Sequence, residues 1–178
     1  MYYDDDLNMN NPLDFAVGIR DRKVLDMVAE AIDRHDIVLA YQSIVSSADT
    51  SFTTYYEGLA RVRDKTGRII PARQFIEVVE TKELGRKIDC ISLQKGLEML
   101  ARVPTLRLAI NMSARSIGYG PWMDTLNEGL AIHPTIAERL ILEITESSAM
   151  VMPDVVSAFM SSLQAKGISF ALDDFGSG

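Results

Sequence analysis

Three apolar runs in this chain each deliver an oxygen-bearing side chain near their far end. "LRLAINMS" reaches Asn111, "RLILEITE" carries Glu143, and "ISFALDDFGSG" arrives at the adjacent carboxylates Asp173 and Asp174. Amide and carboxylate oxygens are the ligands that hard divalent cations select. Singly, each residue has a plain structural role. An Asn after a strand caps a turn, a Glu in a strand faces water, and paired Asp before Gly opens a turn. Their recurrence at equivalent places in successive units is what points to a metal site.

A fourth carboxylate lies in "YYEGLAR". Period-two geometry puts Glu57, Leu59 and Arg61 on one face of a strand. A carboxylate and a guanidinium on one face can form a simple ion pair. They can also be a metal ligand beside a phosphate clamp, because the guanidinium fork matches phosphate oxygens. In "EITE" the same alternation puts Glu143 and Thr145 on one face and Ile144 and Glu146 on the other. Glu143 and Glu146 are therefore not equivalent ligands from one regular strand. One is read as a ligand, the other as a loop or supporting group. His35 and His133 have no His or Cys partner at zinc spacing and are read as solvated. No Ser/His/acid arrangement and no GxxxxGKS/T phosphate loop stands out.

The elements that must position these groups follow from periodicity. Residues 22–34 place Val24, Val28, Ala31 and Ile32 at helical spacing. Two β-rich runs, 37–45 and 52–62, flank "SSADTS", a hairpin loop. Residues 72–81 and 83–101 read as helices. Strand 106–111 then precedes a helix at 121–131. Strand 139–145 precedes a helix opened by Pro153 and Asp154 and closed by Gly167, the usual asymmetry of Pro at the start and Gly past the end. Strand 168–173 begins a further unit. Strands alternating with helices predict βαβ units and a parallel sheet, and continuous apolar strands predict that both faces are covered. In such folds, sites form at the carboxyl ends of the strands.

Composition is that of an ordinary globular chain: 178 residues, 47% hydrophobic and 24% charged. No apolar stretch reaches the roughly 18 residues of a membrane span. Residues 1–20 are read as a loose leader, without the basic start and apolar run of a secretion signal. The single Cys90 excludes an internal disulfide and fits a reducing cytoplasm; its helical setting makes it a core residue. The net charge of −7 argues against a general DNA- or RNA-binding surface but not against a phosphate substrate. Bound cations would reverse the local field.

Together the motifs resemble the EAL domain family, bacterial phosphodiesterases that linearise cyclic di-GMP. The likeness runs from about residue 22 to the end. "LAYQSIV" resembles the family's YQPIV strand with Ser43 for Pro, and "EGLAR" resembles the signature EALxR with Gly58 for Ala. "GRIIPARQFIEVVE", "INMS", "LEITE" and "DDFGSG" resemble further segments in family order.

The resemblance implies a modified (β/α)8 TIM-like barrel with an antiparallel first strand. It implies that residues 21–178 are the first two-thirds of an EAL domain. It matches Glu57, Asn111, Glu143, Asp173 and Asp174 to ligands of Mg²⁺ or Mn²⁺, two ions in all. It matches Glu57, Glu146 and Asp174 to catalytic positions, Glu146 as the support of an active-site loop. Gln42, Leu59, Arg61 and Asp89 correspond to contacts with cyclic di-GMP. The family pattern continues past DDFG with a Lys, a loop Glu and a Gln, and such a barrel takes roughly 250 residues. The expectation is therefore an incomplete barrel: hydrolysis of cyclic di-GMP in the intact protein and none by this stretch alone. The alternative is a non-hydrolysing receptor or interaction module. A cytoplasmic location is expected, and a homodimer is left open.

Overall fold

Asn11 begins the first helix of the computed structural model, which describes residues 11–173. Its side chain accepts the backbone N–H groups of Leu13 and Asp14 at 2.8 and 3.0 Å, and Pro12 fits the first helical position. Helix α1 (Pro12–Asp33) thus starts ten residues before the expected boundary at 22. The cap starts it; burial begins later, at Val28 and Ala31. The stretch 12–20, read as leader, is helical. His35 adopts φ 60°, the left-handed turn that ends α1 and lets the chain enter the sheet.

Among the described residues the sheet has six strands, in the order β1-β2-β4-β5-β6 with β3 on β2. Strands β1 (Ile37–Val45) and β2 (Thr53–Arg63) form the expected antiparallel hairpin. From β2 onward, β4 (Leu108–Asn111), β5 (Leu140–Thr145) and β6 (Ser169–Asp173) run parallel. An antiparallel first strand followed by the parallel series β2, β4, β5 and β6 is the arrangement expected of the modified barrel. Among the described residues β1 and β6 are the two ends of the sheet. The short β3 (Ile69–Pro71) was not expected; it pairs with Arg61–Arg63, above the stretch of β2 taken by β4.

Helices α3 (Glu83–Arg102), α4 (Gly120–Ile132) and α7 (Pro153–Gln164) supply the layer outside the sheet. Leu108, Ile110, Leu140, Leu142 and Ile144 from the strands meet Leu93, Leu97, Leu100, Trp122, Leu126 and Leu163 in one core. Each such side chain contributes about 1.5–3 kcal/mol when fully buried. Val28, Ala31, Ile37, Val62, Phe75 and Val79 form a second, smaller core under α1. The region 72–81 is a 3-10 turn followed by the short α2 (Ile76–Val79) and not one helix. Two further short helices, α5 (Ile136–Arg139) and α6 (Glu146–Met150), lie on either side of β5.

Gly58 shows why the sheet and α3 approach so closely. A Cβ there would stand 2.8 Å from Ile110 Cδ1, and one at Gly96 of α3 would meet the same atom at 2.8 Å. Ile110 therefore fills the space that two side chains leave vacant. Arg139 fastens the link between α3 and β4: its Nη1 donates to the carbonyls of Leu100, Val103 and Leu106 at 2.9, 3.1 and 3.1 Å. Among the described residues no helix is long and apolar enough to cross a membrane.

Candidate metal and phosphate site

Strand pairing fixes which side chains share the inner face. Gln42 pairs with Glu57, Glu57 with Ala109, Asn111 with Glu143, Glu143 with Ala171, and Thr145 with Asp173. Cross-strand partners point the same way, and so do residues two apart. Glu57, Asn111, Glu143 and Asp173 therefore share one face, opposite the strand residues that pack on the helices. Asn111 lies two residues beyond Ala109, and Asp173 two beyond Ala171. That stagger in steps of two is the register shift tilted strands need when a sheet curls toward a barrel, and it preserves the inward direction.

The side chains converge accordingly. Asn111 Nδ2 donates to Glu57 Oε1 at 2.8 Å. The backbone N–H of Met112 donates to the carbonyl of Glu143 at 2.9 Å, which holds the end of β4 against β5. Glu143 is buried. Its carboxyl is pushed up to about 7, first by burial, then by the charges of Glu57 and Asp173, and last by a hydrogen bond with Glu57. A carboxyl raised by burial and by the charges of two other carboxylates, with an amide beside them, suits an added positive charge. The donor set is oxygen throughout, as a hard cation requires. Among the described residues no three acidic, imidazole or thiol side chains already stand close enough to hold a metal by themselves. Asp174 lies outside the described residues.

Gln42 stands across the β1–β2 ladder from Glu57. Leu59 and Arg61 continue the same face of β2. Four residues along a strand separate Arg61 from Glu57, about 13 Å, and the Arg61 Nη1 donates instead to the carbonyl of Ala60 at 2.9 Å. The simple ion-pair alternative is not realised here. Glu146 lies just past the end of β5 and opens α6, so it is not a strand ligand beside Glu143.

Asp89, on α3, accepts from the backbone N–H of Ser113 at 2.9 Å and from Ser116 Oγ at 2.6 Å. Burial pushes its carboxyl up to about 6, against the pull of those two bonds. The neighbouring Cys90 is half-buried, and burial raises its thiol to about 11, ahead of the charges of Asp89 and Glu83. A thiol held that high is a packing group and not a nucleophile.

Tyr55 was not singled out from sequence, although the alternation that puts Leu59 beside Glu57 puts Tyr55 there too. Its phenol is raised by burial and then by Glu143, Glu57 and Asp173, which places it within the field of the carboxylate group.

Comparison with known proteins shows the family. The family model for the EAL domain matches residues 25–178. The chain belongs to the EAL domain family. It is 30% identical over 155 residues to the cyclic di-GMP phosphodiesterase PdeB of Shewanella oneidensis, covering 85% of this chain and 18% of that protein. It is 26% identical over 159 residues to the cyclic di-GMP phosphodiesterase PdeF of Escherichia coli, covering 87% and 21%. Among solved structures, the PaMucR phosphodiesterase in complex with c-di-GMP superposes with a TM-score of 0.77 at 27% identity, over 88% of this chain and 65% of that one. The FimX EAL domain from Pseudomonas aeruginosa bound to c-di-GMP gives 0.75 at 21%, over 87% and 63%. The chain thus spans about a fifth of the length of these curated relatives and under two-thirds of these solved chains.

Proposed function

We propose that this chain supplies the metal-binding half of a cyclic di-GMP phosphodiesterase site, within a domain spanning about residue 21 onward. The observation that carries the reading is the convergence of Glu57, Asn111 and Glu143 on one face at the ends of parallel strands. Asp173 stands close enough to raise the Glu143 carboxyl. Glu57, Asn111, Glu143 and Asp173 would hold Mg²⁺ or Mn²⁺, with Asp174 sharing a second ion. When bound, such ions neutralise phosphoryl oxygens, lower the pKa of a water and align attacking and leaving oxygens.

The chain's own groups do the rest. Arg61, permanently charged, grips a phosphate of the dinucleotide with a geometry a lysine lacks. Gln42 and Leu59 line the same face and orient the substrate. Glu146, at the start of α6, supports the loop over the site. Asp89, matched by the resemblance to a contact with the dinucleotide, has one carboxylate oxygen engaged by Ser113 and Ser116.

The test is calorimetric titration of Mn²⁺ into the parent and Glu143→Ala, followed by hydrolysis of cyclic di-GMP by the full-length protein and the same variant. Loss of metal affinity and of turnover together supports the reading. Unchanged Mn²⁺ affinity in Glu143→Ala removes Glu143 from the ligand set. Dinucleotide binding without turnover by the full-length protein would favour a receptor.

A further inference from the structure

The resemblance leaves open what holds Asn111 in place. Asn111 is the last residue of β4, and the chain turns immediately into a 3-10 turn at Ala114–Ser116. A ligand at the frayed end of a four-residue strand needs its following loop fixed. Within that loop, Ser113 Oγ accepts the Arg115 N–H and caps the turn at 3.2 Å. Asp89 on α3 anchors the loop from a distance: it takes the Ser113 N–H and the Ser116 hydroxyl on the same oxygen at 2.9 and 2.6 Å. Ser116 is fully buried. Asp89 sits mid-sequence in a helix whose neighbours Ile88, Leu93 and Leu97 are locked in the two cores. The rigid layer outside the sheet thus reaches, through Asp89, to a point two residues from Asn111. Asn111 in turn donates to Glu57 at 2.8 Å.

We infer that Asp89 is a positioning residue for the metal site: it clamps the loop after β4 so that the Asn111 amide faces Glu57 and Glu143. It acts through its bonds to Ser113 and Ser116. The inference rests on the metal-binding reading of Asn111. Groups that orient metal ligands in this way are typically worth about 10- to 100-fold in metal affinity.

The experiment is Mn²⁺ titration into the chain and its variants, with the Asn111 side-chain amide followed by ¹⁵N NMR as a metal-independent readout. Asp89→Ala is expected to weaken Mn²⁺ binding about tenfold or more and to move the Asn111 amide signal. Asp89→Asn keeps an acceptor for both donors and is expected to stay near the parent in both. In an Asn111→Ala background, Asp89→Ala should cost almost nothing further, because the two act through one route. Losses that multiply in the double variant, or an Asp89→Ala variant with parental affinity and an unmoved amide, would overturn the inference. If the parent itself binds no Mn²⁺, the metal reading fails, and the amide signal still decides whether Asp89 positions Asn111. Should Asp89→Ala not fold, Ser116→Ala removes one of the two donors and is expected to give the same effects at reduced size.

Discussion

Replacing Asp89 by Asn should change how the chain's stability depends on pH. The Asp89 carboxyl titrates near 6 in the fold, against 3.8 for a free side chain, chiefly because burial disfavours its charge. Below 3.8 both folded and unfolded chains carry the proton, and the residue adds no penalty. Between 3.8 and about 6 the folded chain holds a proton that the unfolded chain has lost, so stability falls as pH rises. Above 6 the full penalty is present. At about 1.4 kcal/mol per pH unit this amounts to about 3 kcal/mol. Asn keeps an oxygen for the Ser113 N–H and the Ser116 hydroxyl and has no charge to bury. The variant should match the parent near pH 4 and become more stable than it by up to about 3 kcal/mol near pH 7. Urea unfolding of both proteins at half-unit steps from pH 4 to 7.5 measures this, and the difference between them cancels every other titrating group. A difference that stays flat with pH, or that grows in the parent's favour, would refute the argument from burial.

Gly58→Ala should cost on the order of 1–2 kcal/mol, since the new methyl meets Ile110 Cδ1 at 2.8 Å. Ile110→Val in the same chain should recover part of the loss in thermal melts, and a Gly58→Ala variant as stable as the parent would contradict the close approach. Mn²⁺ affinity should rise as pH climbs through about 7, because Glu143 must release its proton to bind; a flat profile between pH 6 and 8 counts against Glu143 as a ligand. Arg61→Lys retains charge but loses the two-pronged fork, so cyclic di-GMP binding by the full-length protein should weaken several-fold in calorimetry. Parental affinity would remove the phosphate clamp.

The repeating strand–helix units, the hairpin and the inward parity of the acidic residues were legible in the sequence because each depends on local periodicity. Alternation within "YYEGLAR" and "LILEITE" decides which way a side chain points wherever the strand ends up. Gly167, at φ 95° between α7 and β6, was legible for the same reason, since few other residues accept that angle.

What the sequence left undecided was set by contacts between distant segments. The start of α1 follows from one capping side chain, where hydrophobic periodicity is silent. Strand β3 exists because the upper edge of β2 is left open by the short β4. The resemblance matches Asp89 to a cyclic di-GMP contact, but its bonds to Ser113 and Ser116 exist only once the loop after Asn111 folds over it. The stagger that brings Glu57 to Asn111 comes from the tilt of strands against one another. The proton affinity of Glu143 comes from burial and from charges on two other strands. Periodicity sets the direction of a side chain; only packing sets its neighbours, and the neighbours set its chemistry.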